Sequence, residues 1–273
     1  YLASLALCSD KTVRIRLDLK NYELFEHNGP ESDWRERVLN GIFEAFILLV
    51  RKKNGFGDIS DAIRIISSLK EEQKNYEEAY LGKIKNQNAI IEEAMLLLGL
   101  YHLSKAITET AEYLVQGYNY RGSLESEIRI HSELARKIFK YQPRLQGVTD
   151  ILETGLGRLQ RNSIWFSTSA IKVKKLRDFC ELKSKADSSV VELLPSQRDA
   201  IKGKLLDLAS NVTVVEMPTS SGKTLLAEFN IIITKALDMD SKIVYVVPSR
   251  ALVNQVYSDL RTDFGGLDFQ VEK

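Results

Sequence analysis

The sequence predicts a chain in two parts, an all-helical region over residues 1–185 followed by the beginning of an α/β unit over residues 186–273. Three observations carry this prediction. From residue 31 to about residue 186, apolar residues recur at the spacing of one helical face. The composition changes near Ser184, where residues 184–189 have the character of a linker. Beyond that point β-branched runs alternate with helical patterns, which is typical of a parallel sheet.

The helical region opens with a clear four-residue repeat. Asp33 and the two residues before it suit a helix N-terminus, and Gly55 allows the left-handed conformation that ends a helix. The apolar positions between them are Trp34, Val38, Ile42, Phe46 and Val50. Further helices are predicted over about 60–81, 89–115, 123–141 and 146–160, with Pro143 separating the last two. Within the first 30 residues a strand-like alternation competes with a Ser-Asp cap and helical neighbours, and we predict a helix.

The second part shows strands and helices in alternation. Val212 to Glu216 and Lys242 to Val247 are β-branched runs, each predicted to be a buried strand. Gly222 to Leu237 and Ala251 to Phe264 have helical patterns, and residues 269–271 open a third strand. This order predicts a parallel α/β sheet.

Composition excludes several classes of protein. Lys plus Arg is 38 against 37 for Asp plus Glu, a net charge of +1, so any nucleic-acid contact must come from a local patch. Cys8 and Cys180 are too few for a disulfide framework, which favours a reducing, cytoplasmic setting. No apolar run approaches the length of a membrane span. His27, His102 and His131 are scattered, and no metal site beyond nucleotide-borne Mg²⁺ is predicted from them.

A phosphate-binding loop follows the first predicted strand. Backbone N–H groups of a tight turn, together with the positive end of a helix dipole, cradle a β-phosphate. Lys223 would reach the β- and γ-phosphates of ATP, and the Thr224 hydroxyl would hold Mg²⁺. Met217 stands where the generic pattern has its first glycine. The loop consists of Pro218, Thr219, Ser220, Ser221, Gly222, Lys223 and Thr224.

Two further motifs flank this loop. Gln197 lies 26 residues before Lys223, and its amide offers the donor and acceptor that suit an adenine edge. Ser249 and Arg250 follow the second predicted strand and open a helix, where they can hold a nucleic-acid phosphate. Each motif alone is a common helix start, but their order around the loop favours the functional interpretation.

Together the three motifs resemble superfamily 2 helicases, most closely the Ski2-like branch of the DExH-box proteins. The loop is similar to motif I (Walker A), Gln197 to the adenine-reading glutamine, and residues 248–252 to motif Ia. The resemblance covers about residue 193 to the end, roughly a third of the chain. It implies the first half of a RecA-like P-loop domain that binds ATP, Mg²⁺ and a DNA or RNA backbone.

Such a motor also needs a later strand ending in Asp-Glu and a second RecA-like domain with arginine fingers. Neither occurs in residues 225–273, so we expect the remainder of the motor to follow Lys273 and the chain alone to have negligible ATPase activity. Two alternatives stay open. One is a duplex-DNA translocase or remodeller. The other is an interaction scaffold whose helical region binds a protein partner while the nucleotide site acts only as a conformational switch.

Overall fold

The computed structural model of the chain describes residues 19, 34–84, 86–186, 189–209, 212–218, 221–267 and 269–273. These residues are mostly helical, and the chain divides into two compact units, residues 1–161 and residues 162–273. Among the described helices, none is long and apolar enough to cross a membrane. The helix predicted within the first 30 residues falls outside the described residues, except for Leu19.

Unit 1 consists of helices that pack along one another. In the described residues they are α1 (Trp34–Arg51), α2 (Phe56–Leu81), α3 (Gln87–Gln116), α4 (Leu124–Ile138) and α5 (Pro143–Asn162). Helices α1 and α2 pack together and both contact α3, while α4 packs along the other part of α3. The repeat that predicts α1 supplies its buried side, which includes Trp34, Ile42 and Phe46. The helices predicted between residues 34 and 160 are therefore confirmed.

The ends and the packing of α3 follow from single residues. The side chain of Asn86 caps its start by accepting a backbone hydrogen bond at 3.0 Å, and Gly117 ends it with a φ of 74°. Gly99 lies within the helix, where an added Cβ would come 2.5 Å from the Phe139 ring. The missing side chain therefore allows α3 and the end of α4 to approach closely.

Unit 2 has five shorter helices in its described residues. They are α6 (Ile164–Thr168), α7 (Lys174–Lys185), α8 (Pro195–Lys202), α9 (Lys223–Leu237) and α10 (Arg250–Phe264). Helix α7 packs against α9 and α10, and α6 contacts α7 and α8. The two helices predicted after the loop are confirmed as α9 and α10. Helices α6 and α7 belong to the same unit although they precede the predicted linker at 184–189.

An aromatic core holds unit 2 together. The Phe179 ring from α7 lies 6.1 Å from Phe229 of α9 and 5.9 Å from Phe264 of α10, measured between ring centroids. Cys180 lies beside Phe179, is fully buried and forms no disulfide. Burial raises the pKa of the Cys180 thiol to about 12. The thiol is therefore protonated and unreactive at neutral pH in the folded unit.

The sheet predicted for the second part is not seen in the described residues. Residues 212–218 and 242–247 have no strand pairing there, and residues 269–273 have none either. The expected burial of the two β-branched runs is wrong for this structure, since Val214 is 87% and Val246 83% exposed. A parallel strand is buried only when strands flank it and helices cover both faces. The described part of unit 2 supplies no such partner strands.

One isolated bridge connects the start of unit 2 to the segment before α8. Ser163 and Glu192 pair in antiparallel orientation. The N–H groups of Ile164 and Leu193 each donate a backbone hydrogen bond across this bridge, at 3.0 Å and 2.9 Å respectively. The bridge ties the chain leading into α8 to the start of α6, which fixes where α8 begins.

Candidate functional site

The predicted phosphate-binding loop ends at the N-terminus of α9. Thr219 and Ser220 lie outside the described residues. The Ser221 hydroxyl donates a hydrogen bond of 2.6 Å to the Pro218 carbonyl, and Gly222 adopts a φ of 75° directly before the helix. The loop therefore closes on a helix start, where first-turn N–H groups have no intrahelical acceptor.

The first turn of α9 carries an unusual charge. Lys223 is its first residue and is exposed, as is Thr224. The first turn contains no acidic residue. A cation at the positive end of a helix dipole is electrostatically unfavourable, because anions are the groups that this end stabilises. The arrangement gains stability when an anion such as a phosphate lies at the helix start.

Gln197 is brought directly to this loop. It lies on α8, is 4% exposed, and its Nε2 donates a hydrogen bond of 2.9 Å to the Gly222 carbonyl. Its Oε1 accepts a hydrogen bond of 2.8 Å from the Leu194 N–H. Both ends of the amide are therefore engaged within the protein, and Gln197 braces the loop. Adenine recognition by Gln197 stays a prediction.

Ser249 and Arg250 lie at the start of α10. Ser249 is the N-cap, and its Oγ accepts a hydrogen bond of 3.4 Å from the Leu252 N–H. Arg250 is the first residue of the helix, and both side chains are exposed. Within the described residues, no hydrogen bond or ion pair joins either side chain to the loop before α9. Their binding of a nucleic-acid phosphate stays a prediction.

A buried charge cluster behind α9 was missed from the sequence. The Lys183 Nζ lies 2.6 Å from Asp263 Oδ2 and 3.5 Å from Glu228 Oε2, which links α7, α10 and α9. Glu228 is 2% exposed. The available signal was its position on the apolar face of α9, since it shares helical spacing with Leu225 and Ile232. Burial raises the pKa of Glu228 to about 8, and the nearby Lys183 opposes this rise.

This cluster predicts that unit 2 loses stability as the pH rises. Glu228 holds its proton in the folded unit up to about pH 8, whereas its usual pKa is 4.5. The unfolded chain thus binds fewer protons between these two values, so the free energy of unfolding falls with increasing pH across that window. Replacing Glu228 by glutamine should remove this fall and make unit 2 more stable than wild type near pH 9, by on the order of 1 to 2 kcal/mol.

The measurement is urea unfolding followed by Trp165 fluorescence, in a Trp34→Phe background so that only unit 2 is observed. Exposed Glu216 provides the matched control, and Glu216→Gln should retain the wild-type dependence on pH. Equal slopes of unfolding free energy against pH in wild type and Glu228→Gln would contradict the prediction.

Sequence reasoning also missed a grouping in unit 1. The structure places Glu109 of α3 beside Glu127 and His131 of α4. The expectation that no histidine lies near an acid at ligand spacing is wrong, because Glu127 precedes His131 by four residues on one helix. Side chains at that spacing share a helical face.

Comparison with known proteins places the second part of the chain in a defined class. Residues 188–273 match the DEAD/DEAH box helicase family. For this part of the chain, the resemblance to the N-terminal portion of a superfamily 2 helicase is therefore confirmed.

Individual relatives agree with this class. The Hachiman protein HamB of Bacillus cereus is 36% identical over 84 residues, which are 31% of this chain and 7% of that protein. The ATP-dependent DNA helicase Hel308 of Methanocella arvoryzae is 40% identical over 70 residues, 26% of this chain and 9% of that protein. The U5 small nuclear ribonucleoprotein 200 kDa helicase of Drosophila melanogaster is 41% identical over 59 residues, 22% of this chain and 3% of that protein.

The aligned part of this chain is thus less than a tenth of the length of each of these relatives. No solved structure gives a significant match.

Proposed function

We propose that this chain carries the ATP-binding portion of an ATP-dependent nucleic-acid helicase. The family match over residues 188–273 and the helicase relatives support an ATP-dependent function with nucleic acid. The observation that carries the proposal is the start of α9, where Lys223 faces the positive end of a helix that has no acidic residue in its first turn. A nucleoside triphosphate supplies the negative charge that this arrangement lacks.

In this proposal, residues 186–273 form the N-terminal part of a RecA-like domain, preceded by the helical region 1–185. The backbone of residues 218–224 surrounds the phosphates, and Lys223 contacts the β- and γ-phosphates. The Thr224 hydroxyl holds Mg²⁺, which neutralises charge on the phosphates when it is bound. Because Gln197 fixes the Gly222 carbonyl, the loop is already held in position before the nucleotide binds.

The exposed β-branched runs fit the same proposal. Residues 212–216 and 242–247 are apolar yet largely exposed, with Val214 and Val246 the most exposed among them. We assign them as strands of a parallel sheet that pair with further strands. In such a sheet, phosphate-binding loops lie at the carboxyl ends of the strands, which is where residues 218–224 stand in the sequence.

The start of α10 is assigned to the nucleic-acid backbone. Ser249 and Arg250 are exposed there, and helix N-termini commonly contact phosphate oxygens. A contact to the backbone does not depend on base sequence. The proposed substrate class therefore includes both DNA and RNA strands, and an experiment must offer each of them.

The test measures ATP hydrolysis by the natural protein that carries this sequence, with and without single-stranded and duplex DNA and RNA. Nucleic acid should stimulate hydrolysis. Replacing Arg250 by alanine should raise the nucleic-acid concentration for half-maximal stimulation severalfold and lower the salt dependence of binding by about one ion, since one phosphate contact is lost. Arg261→Ala on the exposed side of α10 is the matched control and should behave as wild type.

Three results would argue against the proposal. They are ATP hydrolysis that no nucleic acid stimulates, hydrolysis that is absent altogether, and equal effects of the Arg250 and Arg261 variants. The first favours a nucleotide-dependent switch, the second removes the motor assignment, and the third removes Arg250 from the nucleic-acid contact.

A further inference from the structure

Three potential metal ligands converge between α3 and α4 in unit 1. Glu109 comes from α3, whereas Glu127 and His131 come from one face of α4. One ligand atom of each residue lies within 4.8 Å of the others. Glu109 and His131 are 6% and 7% exposed, and Glu127 is half-buried. The group is therefore enclosed by protein and combines two carboxylates with an imidazole.

Two buried atoms of this group lack a hydrogen-bond partner among the described residues. They are Glu109 Oε2 and His131 Nε2. Leaving such atoms buried and unsatisfied costs about 1–3 kcal/mol each, so native structures rarely keep them without a reason. His131 Nε2 points toward the carboxylate, at 3.8 Å from Glu109 Oε1. That distance is too long for a hydrogen bond.

A bound ion would account for this spacing. Two ligand atoms that lie about 2.1 Å from a tetrahedral Zn²⁺ are about 3.4 Å from each other. Rotation of the carboxylates by a fraction of an ångström to about one ångström at the oxygen would bring the group to that geometry. The convergence of two unsatisfied atoms at near-ligand distance is therefore what a cation site requires.

The second nitrogen of His131 is already engaged. His131 Nδ1 lies 3.0 Å from Nδ1 of His102, on α3. When His131 donates this hydrogen bond, its Nε2 carries the lone pair that a metal needs. Histidine ligands usually donate their other ring N–H to a partner in this way. Burial lowers the pKa of His131 as well, which favours the neutral imidazole.

Two cations border the group. Lys105 Nζ lies 3.7 Å from Glu109 Oε1, and Arg121 also acts electrostatically on His131. Lys105 leaves the second oxygen of Glu109 without a hydrogen bond, so it does not satisfy the carboxylate fully. A polar cleft of about 150 Å³ has Lys105 and Glu109 in its wall. Movement of the Lys105 side chain would open a route for an ion through this cleft.

We propose that Glu109, Glu127 and His131 bind a divalent transition-metal ion that links α3 to α4. One imidazole with two carboxylates suits Zn²⁺ better than Mg²⁺ or Ca²⁺, which bind oxygen ligands almost exclusively. Water completes the coordination from the side of the cleft. The site lies within unit 1 and does not depend on the proposed nucleotide function.

The test is calorimetric titration of Zn²⁺ into the purified chain after removal of bound metal with a chelator. Wild type should take up one Zn²⁺ at this site, and Glu127→Gln should bind it at least about tenfold more weakly, because one anionic ligand is lost. The matched control is Glu133→Gln, the same change at an exposed position of α4. This control should bind Zn²⁺ as wild type does.

Thermal unfolding provides a second readout. Zn²⁺ should raise the melting temperature of unit 1 in wild type and in Glu133→Gln, but not in Glu127→Gln, since a ligand that binds only the folded state stabilises it. Glu109→Gln repeats the test from the opposite helix. The proposal is overturned when wild type binds neither Zn²⁺ nor Mn²⁺, or when Glu127→Gln and Glu109→Gln bind Zn²⁺ with wild-type affinity.

Discussion

Replacing Lys223 by alanine is expected to lower ATP hydrolysis by the natural protein at least about 100-fold, the loss typical of removing one preorganised group from a charged transition state. Lys223 is the exposed first residue of α9 and the proposed contact to the β- and γ-phosphates. Its removal leaves charge that develops during phosphoryl transfer without its positive partner. Phosphate release at saturating nucleic acid measures the effect.

Lys202 provides the control for this substitution. It lies on α8 with a 77% exposed side chain, so Lys202→Ala removes one positive charge from the same unit away from the loop. The same pair of variants also applies to this chain alone, through binding of a fluorescent ATP analogue with Mg²⁺. Wild-type binding and hydrolysis in Lys223→Ala would remove residues 218–224 as the nucleotide site.

Replacing Gly222 by alanine is expected to disturb both the loop and the brace that Gln197 provides. The new Cβ would lie 2.2 Å from Gln197 Nε2, and the residue has a φ of 75°. Side chains rarely adopt this conformation, and the strain costs on the order of 1–3 kcal/mol. Urea unfolding of unit 2 should show this loss. Binding of the ATP analogue should weaken at least about tenfold, because the loop no longer holds its backbone N–H groups in place.

A double variant separates the two causes. Gln197→Ala removes the side chain that the new Cβ would meet, so Gly222→Ala made in that background retains only the backbone strain. The double variant should therefore lose less unfolding free energy from the glycine change than the single variant does. Equal losses in both backgrounds would show that the contact with Gln197 plays no part.

The helices of this chain are predictable because their signal is local. The four-residue apolar repeat of α1 depends only on the helical period, and Gly55 and Pro143 mark boundaries through their own backbone preferences. The position of Lys223 at a helix start is predictable for the same reason. Strand burial is different, because Val214 and Val246 have strand-forming side chains but their burial depends on neighbouring strands.

The interior of the candidate site could be predicted only in part. Motif spacing indicated that Gln197 belongs with the loop, and the structure brings it to Gly222. Spacing does not reveal that both ends of its amide are used by the protein. The cluster of Lys183, Glu228 and Asp263 joins three helices, so no single stretch of sequence contains it. The metal-ligand group of unit 1 has the same character, apart from the local pair on α4.

The burial of Cys180 turns the chemistry of one thiol into a clock for unit 2. A thiol that is fully buried and protonated reacts with an alkylating reagent only while the surrounding helices are open. In a Cys8→Ser background, the labelling rate of Cys180 therefore reports how often the aromatic core separates. A nucleotide that binds only the closed unit lengthens the labelling time by the same factor as it stabilises that unit. Ligand binding can then be followed through a residue that no ligand touches.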